Sequence, residues 1–185
     1  TRITDLGLNG KIIRLGVMNS VFDIINNEIK KGAKTIIAVG NIFLLNQCVN
    51  AMALLGRSNP VYSQVPLGFI PVGKRSNAIA DFLGIDMAEN ACEVISARRI
   101  QSLNLGLLES DKYFLTHTQI STQDTVIEID KNYTLEINKA GFIFVVNLAL
   151  EINLPKEARI KPDDGVLELL IQNRSHKNII SQGQE

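Results

Sequence analysis

The sequence has no tryptophan, two cysteines and no net charge over 185 residues. Each of these shortages excludes something. Cys48 and Cys92 are too few and too far apart for a disulfide framework or a zinc site, so an intracellular, cytoplasmic protein is expected. Nineteen Lys and Arg balance nineteen Asp and Glu, and no global field draws the chain to nucleic acid or to an anionic membrane. No nucleic-acid partner is expected. The basic pairs Lys30-Lys31 and Arg98-Arg99 read as solvated ends of helices or strands. No apolar run approaches the roughly 20 residues of a membrane-spanning helix, and no signal peptide is visible. The longest apolar stretch, Phe142 to Leu150, is broken by Asn147 and suits a central strand better. In such a protein the glycosylation patterns at Asn132-Tyr133-Thr134 and Asn173-Arg174-Ser175 carry no meaning.

What is present is a folded chain, 45% apolar, long enough for one domain or two small ones. Its organising stretch runs from Thr35 to Gly73. Thr35 to Val39 is short, apolar and β-branched, a strand buried on both faces. Gly40-Asn41 follows, the two residue types that best tolerate the left-handed region, and predicts a sharp turn. Leu44 to Leu55 reads as a helix ended by Gly56, and Pro66 to Ile70 as the next strand. Two parallel strands would then bring two tight loops to one sheet edge, where open α/β sheets bind ligands.

Ahead of this lies an expected strand, Lys11 to Leu15. A helix follows with Val21, Ile24, Ile25 and Ile29 on one face, capped at Asn19 or Ser20 and stopped at Gly32. Beyond Gly73, helices are expected from Asn77 to Leu83, stopped at Gly84, and from Asp86 to Ser96. From about Arg98 the pattern changes to period two. Glu109-Ser110-Asp111 is a polar turn, and Lys112 to Gln119 is an apolar, aromatic-rich run. Val126 to Asp130 and Tyr133 to Asn138 alternate as antiparallel strands do, and Val166 to Ile171 is the last strong strand. The expected organisation is an α/β lobe with a Rossmann-like parallel sheet over residues 1–97. A partial antiparallel β-sandwich would occupy 98–185, with a loose polar tail from Asn173.

Three segments, in this order, resemble the diacylglycerol kinase family of lipid kinases. That family has a strand, then Gly-Gly-Asp-Gly-Thr, then a helix beginning Leu-Asn-Glu-Val; here Ala38-Val39-Gly40-Asn41-Ile42-Phe43-Leu44-Leu45-Asn46-Gln47 corresponds. Its Pro-Leu-Gly-Thr-Gly-Asn-Asp-Phe-Ala motif, ending in Leu-Gly-Ile, is matched by Pro71 to Ala80 and then Leu83-Gly84-Ile85, with one extra residue. Its Asp-Asp-Gly segment before a sandwich strand is matched by Ala158 to Gly165. The resemblance implies an α/β fold of the NAD kinase and diacylglycerol kinase type followed by a β-sandwich. It also implies phosphotransfer from ATP, with Mg2+, to a lipid hydroxyl. It implies nucleotide contacts at Gly40, Asn41, Asn46, Gly73, Lys74 and Asn77, and a magnesium ligand at Asp164. A membrane lipid met at the bilayer surface is the implied partner.

The departures point the other way. Asn41, Ile42, Phe43 and Leu44 stand where the family has Gly, Asp, Gly and Thr. A phosphate-binding loop depends on residues without side chains, so this one reads as plugged by hydrocarbon. Ala78 replaces the second motif's Asp, although Lys74 and Arg75 remain as cations, and no Asp-Gly-Glu segment supplies the family's general base. Loss of loop, acid and base together predicts loss of most of the rate. The alternative is thus a non-catalytic pseudokinase, kept for binding or for homo-oligomerisation through unpaired sheet edges. Among single residues, Asp164 favours a role in its turn over one as a ligand, and Asn46 is expected to brace the loop after Gly40. His117 reads as a hydrogen-bonded core residue, and Cys48 as packing.

Overall fold

The chain is described by a computed structural model over residues 2–8, 10–16, 19–72, 78–85, 88–150, 152, 154 and 159–173. A short α1 (Arg2–Asp5) precedes α2 (Val21–Lys30). Ser20 caps α2 by accepting from the Asp23 amide at 3.1 Å, and Gly32, at φ 94°, ends the turn that follows it. The expected strand at Lys11 to Leu15 does not form. These residues are exposed and join no ladder, Ile12 being 85% accessible. A short apolar run supplies a strand's composition but not a partner, and no described strand lies beside this one. Lys11 instead pairs with Glu28 of α2 at 2.7 Å, and with Lys31 it holds that carboxyl below its ordinary range.

β1 (Ile36–Gly40) and β2 (Leu67–Pro71) are parallel, with Ala38 opposite Phe69 and Gly40 opposite Pro71. α3 (Ile42–Ser58) and a 3-10 turn at Tyr62–Gln64 connect them. The helix begins two residues before the expected Leu44 and runs through Gly56. That glycine is there for close approach: a Cβ on it would lie 3.1 Å from Ser63 Cβ. α3 covers one face of the sheet through Leu45, Cys48, Val49 and Leu55, packed with Ala38 and Phe69 in the core. The other face is covered less fully. Ile95 of α5 (Ala88–Ser96) lies over Gly68, but Ile37 and Val39 are 36% and 50% exposed, so β1 is not buried on both faces. Between β2 and α5 lies α4 (Ala78–Phe82), ended by Gly84 at φ 69°.

The remaining strands are antiparallel. β3 (Gly106–Leu107) and β4 (Tyr113–Phe114) form a small hairpin around the polar turn at Asp111. β5 (His117–Thr122), β8 (Gly141–Val146) and β9 (Glu168–Asn173) form a sheet with β8 in the centre. β6 (Thr125–Ile129) and β7 (Tyr133–Ile137) make the predicted alternating hairpin, closed by Asp130 and Lys131 at positive φ. β9 starts at Glu168 rather than Val166, because Val166 is still held in the preceding turn by Asp164.

The two parts meet along α3. Asn50 donates to the Tyr113 carbonyl at 2.9 Å and accepts from its amide at 2.8 Å, completing a strand-like pair with a side chain. Arg57 and Asp111 form an exposed ion pair at 2.6 Å, and Leu115 enters the α/β core.

Candidate functional site

The carboxyl edge of β1 and β2 is where the fold would present a ligand site. Gly40 ends β1, its carbonyl accepting from the Val72 amide at 2.9 Å. The next residue does not enter the left-handed region. Asn41 is extended, φ −93° and ψ 176°, and caps α3: its Oδ1 accepts from the Leu44 amide at 3.1 Å. A helix N-terminus binds anions through amide groups that lack a partner inside the helix. Here one of those amides is already satisfied by the chain's own side chain.

Leu44 completes the closure. A Cβ placed on Gly40 would lie 2.9 Å from Leu44 Cδ2, so the space that glycine leaves open is filled by leucine. Ile42 and Phe43 take no part; they are 38% and 67% exposed. Of the three apolar groups expected to plug the loop, only Leu44 lies over Gly40. As built, this loop does not fit a triphosphate, whose oxygens need bare backbone N–H groups within reach.

The other residues singled out from sequence are scattered. Asn46 is exposed on the first turns of α3, and its carbonyl accepts from Asn50. Asn41 rather than Asn46 braces the loop. Gly73, Lys74 and Asn77 lie outside the described residues, as does Arg75. Asp164 is exposed in the turn before β9, its Oδ1 accepting from the Val166 amide at 3.0 Å. Gly165 follows at φ 82°. Asn104 clasps the same turn: its backbone amide donates to the Pro162 carbonyl at 2.6 Å. With its amide oxygen turned inward, it accepts from Gly165 and Asp164 amides at 2.6 and 3.2 Å. Among the described residues no three His, Cys, Asp or Glu side chains are placed to hold a metal ion.

Two other expectations resolve structurally. Cys48 is buried on α3, and desolvation pushes its thiol up to about 11, so it packs as a hydrophobe. His117 meets Phe144 edge to face at 6.0 Å, but its buried Nδ1 has no hydrogen-bond partner among the described residues.

Sequence reasoning missed the asparagines that hold the β part together. Asn147 is fully buried, and its Nδ2 donates to the carbonyls of Asn104 and Leu115, both at 2.8 Å. The available signal was a lone amide in the apolar run from Phe142 to Leu150. Two open hollows of about 470 and 480 Å3 flank α2 and α3, lined by Phe22, Leu54, Arg57 and Asp111 in one and by Ser20, Phe22, Gln47 and Asn50 among others in the second. Neither is lined by residues 40–46.

A small parallel sheet with helices, joined to antiparallel strands in this order, is the two-lobe, lipid kinase-like fold. Solved structures assigned as diacylglycerol kinases from Bacillus anthracis str. Sterne share it. One superposes with a TM-score of 0.62 at 19% identity over 85% of this chain, and another with 0.63 at 18% identity over 86%. The chain spans about 60% of their length, 61% and 62% in these two comparisons. At this identity the likeness establishes the fold. No family model and no curated protein matches the sequence. No helix among the described residues is long and apolar enough to cross a membrane.

Proposed function

We propose that this chain is a lipid kinase-fold protein in which phosphotransfer from ATP to a lipid hydroxyl has lapsed. The fold is kept as a binding or oligomerisation module, a pseudokinase. The observation that carries this reading is Leu44 Cδ2 standing in the space over Gly40, with the adjoining helix amide already taken by Asn41. Phosphoryl transfer is almost wholly positioning and charge neutralisation, and a closed phosphate cradle removes the first requirement for both. In this reading residues 1–97 and 98–185 act as two lobes of one module in the cytoplasm, meeting a membrane lipid peripherally or a second copy of the chain.

The competing reading is a working, or at least nucleotide-binding, lipid kinase, and the fold itself favours it. Nucleotide would then sit against Gly40, Asn41, Asn46, Gly73, Lys74 and Asn77, with Mg2+ at Asp164. A thermal-shift titration with Mg-ATP separates the two. A site with Kd of about 50 μM would add about 2.7 kcal/mol at 5 mM ATP, roughly 5–10 °C in Tm. The module reading expects no rise, and a saturating rise overturns it.

A further inference from the structure

The basic pairs Lys30-Lys31 and Arg98-Arg99, far apart in sequence, are brought to one end of the sheet by the fold. α2 ends at Lys30, and Lys34 stands two residues ahead of Ile36, where β1 begins. On the other face α5 runs back along β2, as a helix returning from the carboxyl edge must. Its Ile95 lies over Gly68, the second residue of β2, and the Arg98 amide donates to the Ile95 carbonyl at 3.1 Å in the turn that ends the helix. Ile36 and Leu67 pair where the two strands start. Cations therefore arrive from both faces at the amino edge of the sheet, the end remote from Gly40 and Asn41.

Their charge is not neutralised locally. Lys31 shares the Glu28 carboxylate with Lys11, but Lys30, Lys34, Arg98 and Arg99 are exposed and have no acidic partner among the described residues. The C-terminal half-charges of two helices offset roughly one cation between them. The rest are a local surplus in a chain whose net charge is zero. Among the described residues, the two most exposed large apolar side chains border these cations: Ile100, 71% accessible beside Arg99, and Ile12, 85% beside Lys11. None of the basic segments carries an aromatic ring, the platform on which single-stranded nucleic acid stacks its bases.

We propose that this amino edge is a docking surface for an anionic lipid bilayer, with Lys30, Lys34, Arg98 and Arg99 over the headgroups and Ile100 entering the acyl boundary. Unpaired cations interspersed with bare aliphatic side chains are the mixture an interfacial surface requires. A nucleic acid would use the cations and leave the isoleucines in water, so the bilayer accounts for more of what is exposed here. The inference rests on the module reading and gives it an orientation. A lobe held by its amino edge turns its carboxyl edge, and the closed turn at Gly40, away from the membrane. That pose keeps a lipid hydroxyl from the Gly40 turn, as suits a fold that no longer transfers phosphate.

The test is co-sedimentation with sucrose-loaded vesicles in the absence of nucleotide, with circular dichroism confirming that each variant is folded. The wild type should pellet with phosphatidylcholine vesicles containing about one third phosphatidylserine, not with phosphatidylcholine alone, and added salt should release it. Each cation at an anionic surface is worth roughly a fivefold change in partition. Lys30→Gln/Lys34→Gln and Arg98→Asn/Arg99→Gln should therefore each weaken binding at least tenfold, asparagine being chosen for the positive φ of Arg98, 50°. Lys139→Gln, in the β part of the chain, should change nothing, and Ile100→Ser should weaken binding without altering its salt dependence. Equal binding to neutral vesicles overturns the proposal, as does a wild type that pellets with neither, or indifference to both paired variants. So does tighter binding to a single-stranded oligonucleotide that the paired variants abolish and Ile100→Ser leaves intact, which would make this a nucleic-acid face. Failure here removes the membrane from the module reading and leaves the closure by Leu44 standing, since the Mg-ATP titration reads that separately.

Discussion

Two turns in this chain sit where the lipid kinase resemblance expects ligand contacts, and they differ in what has become of their polar groups. At Gly40-Asn41 the side chain caps α3 and leucine fills the space above the glycine. At Asp163-Asp164-Gly165 the carboxylate accepts from Val166 two residues on, while Asn104 collects the turn's backbone groups. Both turns satisfy themselves. The first is also closed sterically, whereas Asp164 remains an exposed carboxylate with lone pairs to spare. A turn can thus be closed to a ligand either by being filled or by having its donors and acceptors taken up internally. Only the second route leaves a charge behind.

The largest effect should come from removing the support behind the second turn. Asn147→Ala leaves the Asn104 and Leu115 carbonyls buried without their donor, and the expected loss is about 3 kcal/mol, read as a fall in the urea midpoint. Binding of any ligand at the first turn should be unaffected. A variant as stable as the wild type would mean that Asn104 does not depend on Asn147.

Next in size is the first turn. Gly40→Ala forces a methyl group against Leu44 Cδ2, and about 1.5 kcal/mol of destabilisation is expected. In a Leu44→Ala background the same change should cost near zero, so the double-mutant cycle reports whether leucine truly occupies the cradle. Additive losses would place the leucine elsewhere.

Much of the architecture was legible because it rests on local signals. Asn19-Ser20 before an amphipathic face gave the start of α2, with Ser20 proving to be the cap, and strict alternation gave the β6–β7 hairpin to within a residue. The failures share a cause: one residue type serves several physical ends. Gly56 looked like a helix stop but admits Ser63, and Asn41 looked like a left-handed turn residue but caps a helix. Lys11 to Leu15 has the pattern of a strand, yet a strand is a property of two segments, and the second cannot be read from the first. The site was half legible. Apolar substitution at Leu44 announced a blocked loop, but nothing in the sequence distinguished Leu44, over the glycine, from Phe43, facing solvent.

A smaller effect isolates the cap. Asn41→Ala removes the acceptor for the Leu44 amide and should cost about 1 kcal/mol, while Asn41→Ser or Asn41→Asp should recover most of it in thermal melts. If the free amide of Asn41→Ala instead becomes an anion site, added phosphate will stabilise that variant more than the wild type.

The smallest effect bears most directly on the contrast between the turns. If Asp164 serves only its own turn, what matters is an oxygen reaching the Val166 amide, not the charge. Asp164→Asn then keeps the acceptor and should match the wild type, whereas Asp164→Ala should lose about 0.5 kcal/mol. Neither should alter the response to Mg2+, because a hard cation needs several oxygen ligands and one exposed carboxylate holds it weakly. A magnesium-dependent rise in wild-type Tm that Asp164→Asn abolishes would reverse this. The second turn would then have kept a metal that its own hydrogen bonds do not displace, and only the first turn would count as closed.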